Sequence, residues 1–238
     1  KIIEESPAPQ IDASIINSMA DDAVNFSSNQ NYDGAGTVEF IYDLDEKKYY
    51  FLEMNTRIQV EHPVTELVTK TDLVEMQIKF AMKIDNFYIT QDAITKHSHA
   101  IECRLYAEDP SKNFLPSPGR ITKLRIPEFN KNIRVDIGVG EGDEISFYYD
   151  PMIAKIIATG KNRNEAIKNI IMFLENLEIE GIQTNQYFLL SILQNISFLD
   201  SDYNTKFIEN NLHLFTNKKE KVGSLDINEE ATEKLRQD

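Results

Sequence analysis

The chain has 238 residues and a single cysteine, Cys103. One thiol excludes an intrachain disulfide and a cysteine-based zinc cluster. A reducing compartment is the simpler setting for such a chain. Basic residues are scarce as well: 25 Lys and Arg face 39 Asp and Glu, a formal charge of −14. Holding nucleic acid needs clustered cations that displace counterions from phosphates. Docking on an anionic membrane face needs them too. Neither role fits this balance. No apolar run approaches the roughly 18 residues of a membrane span, and no basic-then-apolar signal stretch opens the chain. Internal repeats and low-complexity tracts are missing. So are a G-x-x-x-x-G-K-S/T phosphate loop, a Ser-His-Asp or Cys-His set, and any convincing metal spacing among His62, His97, His99 and His213. What remains is 41% apolar and 10% aromatic, the composition of a globular chain with one large domain or two small ones. The first residue is Lys1 rather than Met, which points to a processed product or a piece of something longer.

The patterning predicts an extended entry over residues 1–9, ending in Ser6-Pro7-Ala8-Pro9. A helix follows, capped by Asp12, with Ile15, Ile16, Met19 and Ala23 as its apolar stripe. Gly34 and Gly36 break the pattern. Thr37–Asp43 and Tyr49–Met54 read as the two strands of a hairpin, with a turn at 45–48. Thr71 is the expected cap of a helix carrying Leu73, Val74, Ile78 and Ala81. From about residue 97 short strands take over: His99–Tyr106, Ile121–Ile126, Ile133–Val139 and Ile153–Ala158. A long helix is expected over Asn164–Leu177 with Gly181 as its stop, a second over Asn185–Gln194, and a short third capped by Thr205. Residues 217–238 are mostly charged and polar and read as a tail, with a marginal helix at Glu229–Leu235.

Chemistry enters at the hairpin. A turn centred on Glu46 sets Tyr49 opposite Asp43, Phe51 opposite Ile41 and Glu53 opposite Glu39. Facing carboxylates have Cβ atoms roughly 4.5–5.5 Å apart, and like charges at that distance repel unless a cation lies between them. Asn55 falls on the same face if the strand continues. Two carboxylates and an amide oxygen suit Mg²⁺ or Mn²⁺. The plain alternative is a solvated strand face. From Glu53 through Asn55, Arg57 and Gln59 to Glu61, every second residue is polar. In an extended chain these five project to one side. Such an array can hold a metal, clamp a small planar anion on Arg57, and offer Glu61 as a base. Pro63 ends any ladder. An amphipathic surface strand is again the plain alternative. Gly138-Val-Gly140-Glu-Gly142 reads as a turn rather than a phosphate cradle, because two acids follow it and no helix does. Arg104 shares a strand face with Glu102, and an ordinary ion pair explains it by default.

The segment Phe51-Leu-Glu-Met-Asn-Thr-Arg-Ile-Gln-Val-Glu-His-Pro-Val-Thr-Glu66 closely resembles biotin carboxylase, the ATP-dependent component of the biotin-dependent carboxylases. The likeness continues through Gly34-Ala-Gly-Thr37, His99-Ala-Ile-Glu-Cys-Arg-Leu-Tyr-Ala-Glu-Asp109, Phe114-Leu-Pro-Ser-Pro-Gly119 and Tyr148-Tyr-Asp-Pro-Met152, and spans about residues 1–215. A Glu-x-Asn-x-Arg core occurs in other ATP-grasp enzymes. Its extension Gln59-Val-Glu-His-Pro63 is specific.

The resemblance implies an α+β fold: the second half of an ATP-grasp domain over 1–96, the biotin carboxylase C-terminal domain over 97–215, and a polar tail or linker over 216–238. It makes Glu39 and Glu53 the carboxylates of the divalent metal (Mg²⁺ or Mn²⁺) at the ATP phosphates, with Asn55 assisting. It places Arg57, Gln59 and Val60 at the bicarbonate pocket, with Lys1 as a further bicarbonate contact. Glu61 becomes the base that deprotonates bicarbonate, Arg104 the group that stabilises the biotin enolate, and Asp150 a carboxylate near the biotin end. The implied partners are a biotin carboxyl carrier domain, a carboxyltransferase and, in the full-length form, a second copy. The implied setting is cytoplasmic, or the mitochondrial matrix in a eukaryote. Tyr148–Lys155 and Tyr203–Glu209 look more like the α chains of acyl-CoA carboxylases, or pyruvate carboxylase, than the free-standing subunit. The chain resembles only the later part of the family, so the piece alone is expected to lack useful ATPase or carboxylase activity. Two rival readings are another ATP-grasp ligase and a non-catalytic oligomerisation module.

Overall fold

The computed structural model describes residues 1–84, 89–129 and 131–216. It divides into two compact units, one of residues 8–97 and one of residues 1–7 together with 98 onward. The first domain expected from the sequence, 1–96, thus gives up its first seven residues to the later unit. The reason is β1 (Ile3–Ser6), which pairs antiparallel with a strand some hundred residues away.

The 8–97 unit runs α1 (Ala13–Asn29), β2 (Thr37–Asp43), β3 (Lys48–Asn55), α2 (His62–Thr69), α3 (Leu73–Ala81). Asp12 occupies the cap of α1 through its carbonyl, which accepts from the amides of Ile15 and Ile16; its side chain makes no cap bond. The hairpin packs on α1 through Phe26 and Phe51, 5.0 Å apart, and through Tyr49, whose hydroxyl donates to Asp22. The cap of α3 is Asp72, whose carboxylate accepts from the amide of Glu75, and not Thr71. Thr71 instead bonds Thr69 hydroxyl to hydroxyl. Pro63 does not end a ladder; it lies in the first turn of α2, where a missing N–H costs nothing.

The later unit continues with β4 (His99–Tyr106), β5 (Glu108–Asp109), β6 (Leu115–Pro116), β7 (Gly119–Arg120), β8 (Lys123–Arg125), β9 (Ile133–Ile137), β10 (Glu144–Ile145), β11 (Met152–Gly160), α4 (Arg163–Asn176), β12 (Glu178–Glu180), α5 (Gln186–Leu193), α6 (Ile196–Leu199) and α7 (Phe207–Thr216). Its centre is a four-stranded antiparallel sheet in the order β1-β4-β11-β9. Period-2 alternation splits this sheet. Ile101, Cys103, Leu105, Ile156 and Ala158 face a core shared with Ala166, Ile167, Ile170 and Leu174 of α4 and Phe188, Leu189 and Ile192 of α5. Each fully buried Ile or Leu there contributes about 1.5–3 kcal/mol. Asn162 caps α4 by accepting from the amide of Glu165, and Glu165 reaches back to the amide of Lys161, a capping-box arrangement.

Strand β8 is shorter than the expected Ile121–Ile126, and Ile121 bonds instead to Asp143, away from the β8–β12 ladder. Helix α4 does not stop at Gly181. It ends at Asn176, and β12 intervenes before Gly181 turns the chain at φ +97°. A Cβ at Gly181 would lie 2.1 Å from the Arg120 carbonyl oxygen. Gly181→Ala combines positive-φ strain with backbone overlap, and we expect roughly 3 kcal/mol of destabilisation. That is a fall in Tm of roughly 6–12 °C for a domain of this size. An unchanged Tm on thermal unfolding would show that the turn relaxes at no cost. The expected third helix begins at Phe207, with Asn204 rather than Thr205 bonding the incoming amides, and α6 was not anticipated. The marginal helix at Glu229–Leu235 lies outside the described residues.

Candidate functional site

The hairpin register carries the main geometry. Asp43 pairs with Lys48, Tyr42 with Tyr49, Ile41 with Tyr50 and Phe40 with Phe51. The expected partners Tyr49–Asp43 and Phe51–Ile41 are therefore each displaced by one residue. Asp43 causes this at the turn: its carboxylate accepts from the amides of Asp45 and Glu46, closing a four-residue loop with Lys47 at positive φ. A β-bulge between Phe40 and Glu39 then absorbs Leu52 as an extra residue. Past the bulge Glu39 stands opposite Glu53 and Thr37 opposite Asn55. Without the bulge, every side chain from Leu52 on would change faces.

Asn55 donates through Nδ2 to Glu39 Oε1 at 2.9 Å and to Glu53 Oε1 at 3.1 Å. One nitrogen thus sits where two carboxylate oxygens converge. Gln59 Nε2 donates to the same Glu39 oxygen at 2.9 Å, and Arg57 Nη1 donates to Gln59 Oε1 at 3.2 Å and to the Ile58 carbonyl at 3.1 Å. Glu53, Asn55, Glu39, Gln59 and Arg57 form one connected chain of polar groups. Its topology differs from the expected row. Strand β3 stops at Asn55, the backbone bends at Thr56 and Arg57, and a turn follows at Val60–Glu61. The bend returns Gln59 to Glu39. Glu61 occupies the N-cap position of α2, its carbonyl accepting from the amide of Val64 at 3.2 Å while its side chain makes no cap bond. His62 Nδ1 lies 2.9 Å from the Gln59 carbonyl, and Nε2 lies 3.8 Å from Glu66, a buried carboxylate that also accepts from the Leu73 amide. These contacts clamp the 59–62 turn on α2.

Two hard carboxylates and an amide converging on one point fit a divalent cation that prefers oxygen donors, with Asn55 turned to present Oδ1. Among the described residues no group of three His, Cys, Asp or Glu could hold a metal. A cation here would thus complete its shell with the amide oxygen, water and substrate oxygens. The glycine cluster at 138–142 is a turn: the Gly140 amide donates to Asp143 Oδ2 at 2.7 Å, so an acid already fills the place a phosphate would take.

The second group of residues lies in the later unit, on the polar face of the four-stranded sheet. Arg104 Nη2 is 2.6 Å from Glu4 Oε1, an ion pair that crosses from β4 to β1. Directly opposed residues share a face: Glu4 with Glu102, Arg104 with Lys155, Lys155 with Asp136. Asp136 also takes two bonds from Arg134, and these with Lys155 outweigh its burial and hold its carboxyl below the usual range. Burial pushes the Tyr106 phenol up, against the opposing pull of a hydrogen bond with Arg104. Burial, with the charge of Asp150 added, pushes Glu108 up to about 6. Asp150 itself is exposed and accepts from the Met152 amide at 2.8 Å. Lys1 is exposed and leads into β1. Cys103 points into the core, and burial, with Glu4 and Glu102 nearby, pushes its thiol well up, which leaves it unreactive. Sequence reasoning missed Glu4 and Tyr106. The period-2 row Glu102, Arg104, Tyr106, Glu108 signals the second of these. No local signal could have found Glu4, because only the pairing of β1 with β4 brings it to Arg104.

Comparison with known proteins assigns both halves. Residues 102–210 match the Biotin carboxylase C-terminal domain, and residues 1–85 match the Carbamoyl-phosphate synthase L chain, ATP binding domain. The chain is 50% identical over 209 residues to Biotin carboxylase 1 of Bacillus subtilis, covering 88% of this chain and 46% of that protein. It is 44% identical over 208 residues to the mitochondrial Methylcrotonoyl-CoA carboxylase subunit alpha of Rattus norvegicus, covering 87% of this chain and 29% of that one. Among solved structures it resembles the biotin carboxylase domain dimer of the 2-oxoglutarate carboxylase of Hydrogenobacter thermophilus, a complex with MgADP, ADP and bicarbonate. The TM-score is 0.87 at 36% identity, over 92% of this chain and 48% of that one. The chain therefore spans less than half the length of these relatives.

Proposed function

Because the chain belongs to the biotin carboxylase family, as the later part of an ATP-grasp domain joined to the biotin carboxylase C-terminal domain, we propose that the protein carrying it carboxylates carrier-bound biotin with bicarbonate at the expense of ATP. The observation that carries this reading is the connected set Glu53–Asn55–Glu39–Gln59–Arg57, with Glu61 at the head of α2 immediately after it. It unites a cation site, an anion clamp and a base within nine residues of sequence and one facing strand. No row of exposed strand residues needs such connectivity.

In this reading Glu39, Glu53 and Asn55 hold Mg²⁺ or Mn²⁺. The ion supplies charge neutralisation at the ATP phosphates. Arg57, Gln59 and the Val60 backbone, with Lys1, orient bicarbonate. Bicarbonate is a weak nucleophile until it loses its proton, and Glu61 accepts that proton. The bicarbonate oxygen then bonds to the γ-phosphorus as the bond to the ADP oxygen breaks, giving carboxyphosphate. Carboxyphosphate divides into CO₂ and phosphate. The phosphate takes the biotin N1 proton, Arg57 and Arg104 stabilise the resulting anions, and N1 bonds to CO₂. Asp150 flanks the biotin end.

The partners are then a biotin carboxyl carrier domain, a carboxyltransferase that receives the carboxyl group, and a second copy of the same protein. Among the described residues no helix is long and apolar enough to cross a membrane, and a cytoplasmic or mitochondrial matrix setting agrees with the unreactive thiol. The test is ATP cleavage by the full-length protein. We expect turnover that requires bicarbonate and Mg²⁺ or Mn²⁺ and rises severalfold with free biotin. Bicarbonate-dependent turnover that ignores biotin would instead indicate another ATP-grasp ligase.

A further inference from the structure

We propose that Glu4 is the positioning residue for Arg104, setting the direction in which its guanidinium meets the biotin anion. This rests on the role given to Arg104 above. The 2.6 Å contact joins two side chains that are 14% and 9% exposed. Shielded from solvent, this ion pair holds its two side chains together more strongly than a surface pair would. The backbone acts in the same sense, since the Ile2 carbonyl accepts from the Arg104 amide at 2.9 Å. Strand β1 thus grips Arg104 by main chain and side chain together.

Two acids share this face with Arg104: Glu102 on its own strand and Glu4 across on β1. Lys155 is directly opposite Arg104, cation against cation, and has its own acid, Asp136, 3.5 Å away on β9. Glu4 supplies the matching acid on the β1 side. Strand β1 is itself held firmly. Glu5 points to the opposite face, where His99, Arg163 and Tyr203 surround it. Alternation along the strand therefore gives adjacent glutamates two tasks: Glu5 fixes the strand and Glu4 fixes Arg104.

The test is a double-mutant cycle in the full-length protein, read as kcat/KM for free biotin. Glu4→Gln keeps the shape and removes the charge. We expect about a tenfold loss or more, since ångström-scale misplacement of a catalytic group costs up to about a hundredfold. In an Arg104→Ala background the same change is expected to add less than about twofold, because there is no guanidinium left to position. Glu4→Asp keeps the charge on a shorter arm and falls between Gln and the parent. If Glu4→Gln does not fold, Glu4→Asp takes its place in the same cycle. The proposal is overturned by a single variant within twofold of the parent. Losses that multiply in the double variant also overturn it, since they make Glu4 a structural residue only. If Arg104→Ala alone leaves biotin-stimulated turnover intact, the role of Arg104 falls first and this inference with it.

Discussion

Glu61→Gln in the full-length protein is expected to lower bicarbonate-dependent ATP cleavage by about 10²- to 10⁴-fold, the usual contribution of a positioned general base. The substitution is nearly isosteric, and the Glu61 side chain makes no cap bond to α2. The helix start depends on the Glu61 carbonyl, on Pro63 and on the His62 contacts, all of which remain. Binding of ATP should survive too, because the carboxylates proposed to hold the metal, Glu39 and Glu53, are untouched. The loss should therefore appear in kcat, with KM for ATP nearly unchanged. An amide can still donate to or accept from bicarbonate, so weak bicarbonate binding is retained while proton removal is not. Two measurements decide the matter: steady-state ATP cleavage with and without bicarbonate, and ATP affinity by equilibrium binding. Turnover within threefold of the parent would remove Glu61 from proton transfer. An equal loss of ATP affinity would mean that the substitution had disturbed the 59–62 turn.

Glu5→Gln is expected to destabilise the later unit strongly. Glu5 is buried at the edge of the sheet. Its carboxylate takes a two-pronged contact from Arg163, Nε to Oε2 at 2.8 Å and Nη2 to Oε1 at 3.2 Å. His99 Nε2 lies 2.8 Å from Oε2, and the Tyr203 hydroxyl donates to Oε1. Arg163 also donates to the Leu199 carbonyl and lies over the Phe198 ring, which stacks on Tyr203. Three side chains distant in sequence, His99, Arg163 and Tyr203, meet at this one acid. Removing its charge leaves the Arg163 guanidinium, 12% exposed, without its counter-ion. Breaking one side of a buried pair costs roughly 3–5 kcal/mol. The contacts Arg163 keeps place the expectation near the lower end, a fall in Tm of roughly 6–12 °C.

The pH dependence has a definite sign. Burial by itself would raise the Glu5 carboxyl, but bonds with His99 and Arg163, the Arg163 charge and the Tyr203 bond outweigh it and hold it below the ordinary 4.5. A depressed folded-state value means that the unfolded chain binds the proton more tightly. Stability from Glu5 is then complete above pH 4.5 and drains away as the pH falls from there through the folded value. The gap between parent and Glu5→Gln should be constant near neutrality and close on acidification. Urea unfolding at pH 7 and at successively lower pH measures it. A gap that persists in acid would show that Glu5 acts by shape and not by charge.

The facing glutamates of the hairpin, Glu39 on β2 and Glu53 on β3, mark how far the sequence could be read. Glu39 and Glu53 were paired correctly, yet by a register that fails at the turn. A symmetric hairpin centred on Glu46 puts them opposite, and so does the real one, in which the Asp43 turn shifts the register and the Leu52 bulge shifts it back. Alternation identifies which residues share a face, but one inserted residue reverses that conclusion. The row from Glu53 to Glu61 departs from the extended array that period-2 spacing predicts. Its residue types suit a metal, an anion and a base in any conformation, while the bend after Asn55 depends on Gln59 reaching Glu39. Strand β4 and helix α4 were legible almost to the residue, because long apolar periodicity is a local signal. Helix caps elsewhere were less so: Asp72 and Asn204 do the work expected of their neighbours Thr71 and Thr205.

By itself, then, the sequence determined the α+β class, the facing carboxylates, the polar row that follows them, and the family. All of these rest on residue type and short-range spacing, which survive a one-residue error. The tertiary structure decided what depends on contacts between distant segments. It assigned residues 1–7 to the later unit, put Glu4 on Arg104, and gathered His99, Arg163 and Tyr203 around Glu5. The physical reason is that the pairing of β1 with β4 closes a loop of some ninety residues. Its free energy comes from burying Ile3 against the core and from satisfying two acids on opposite faces at once. No window of sequence contains both sides of that contact.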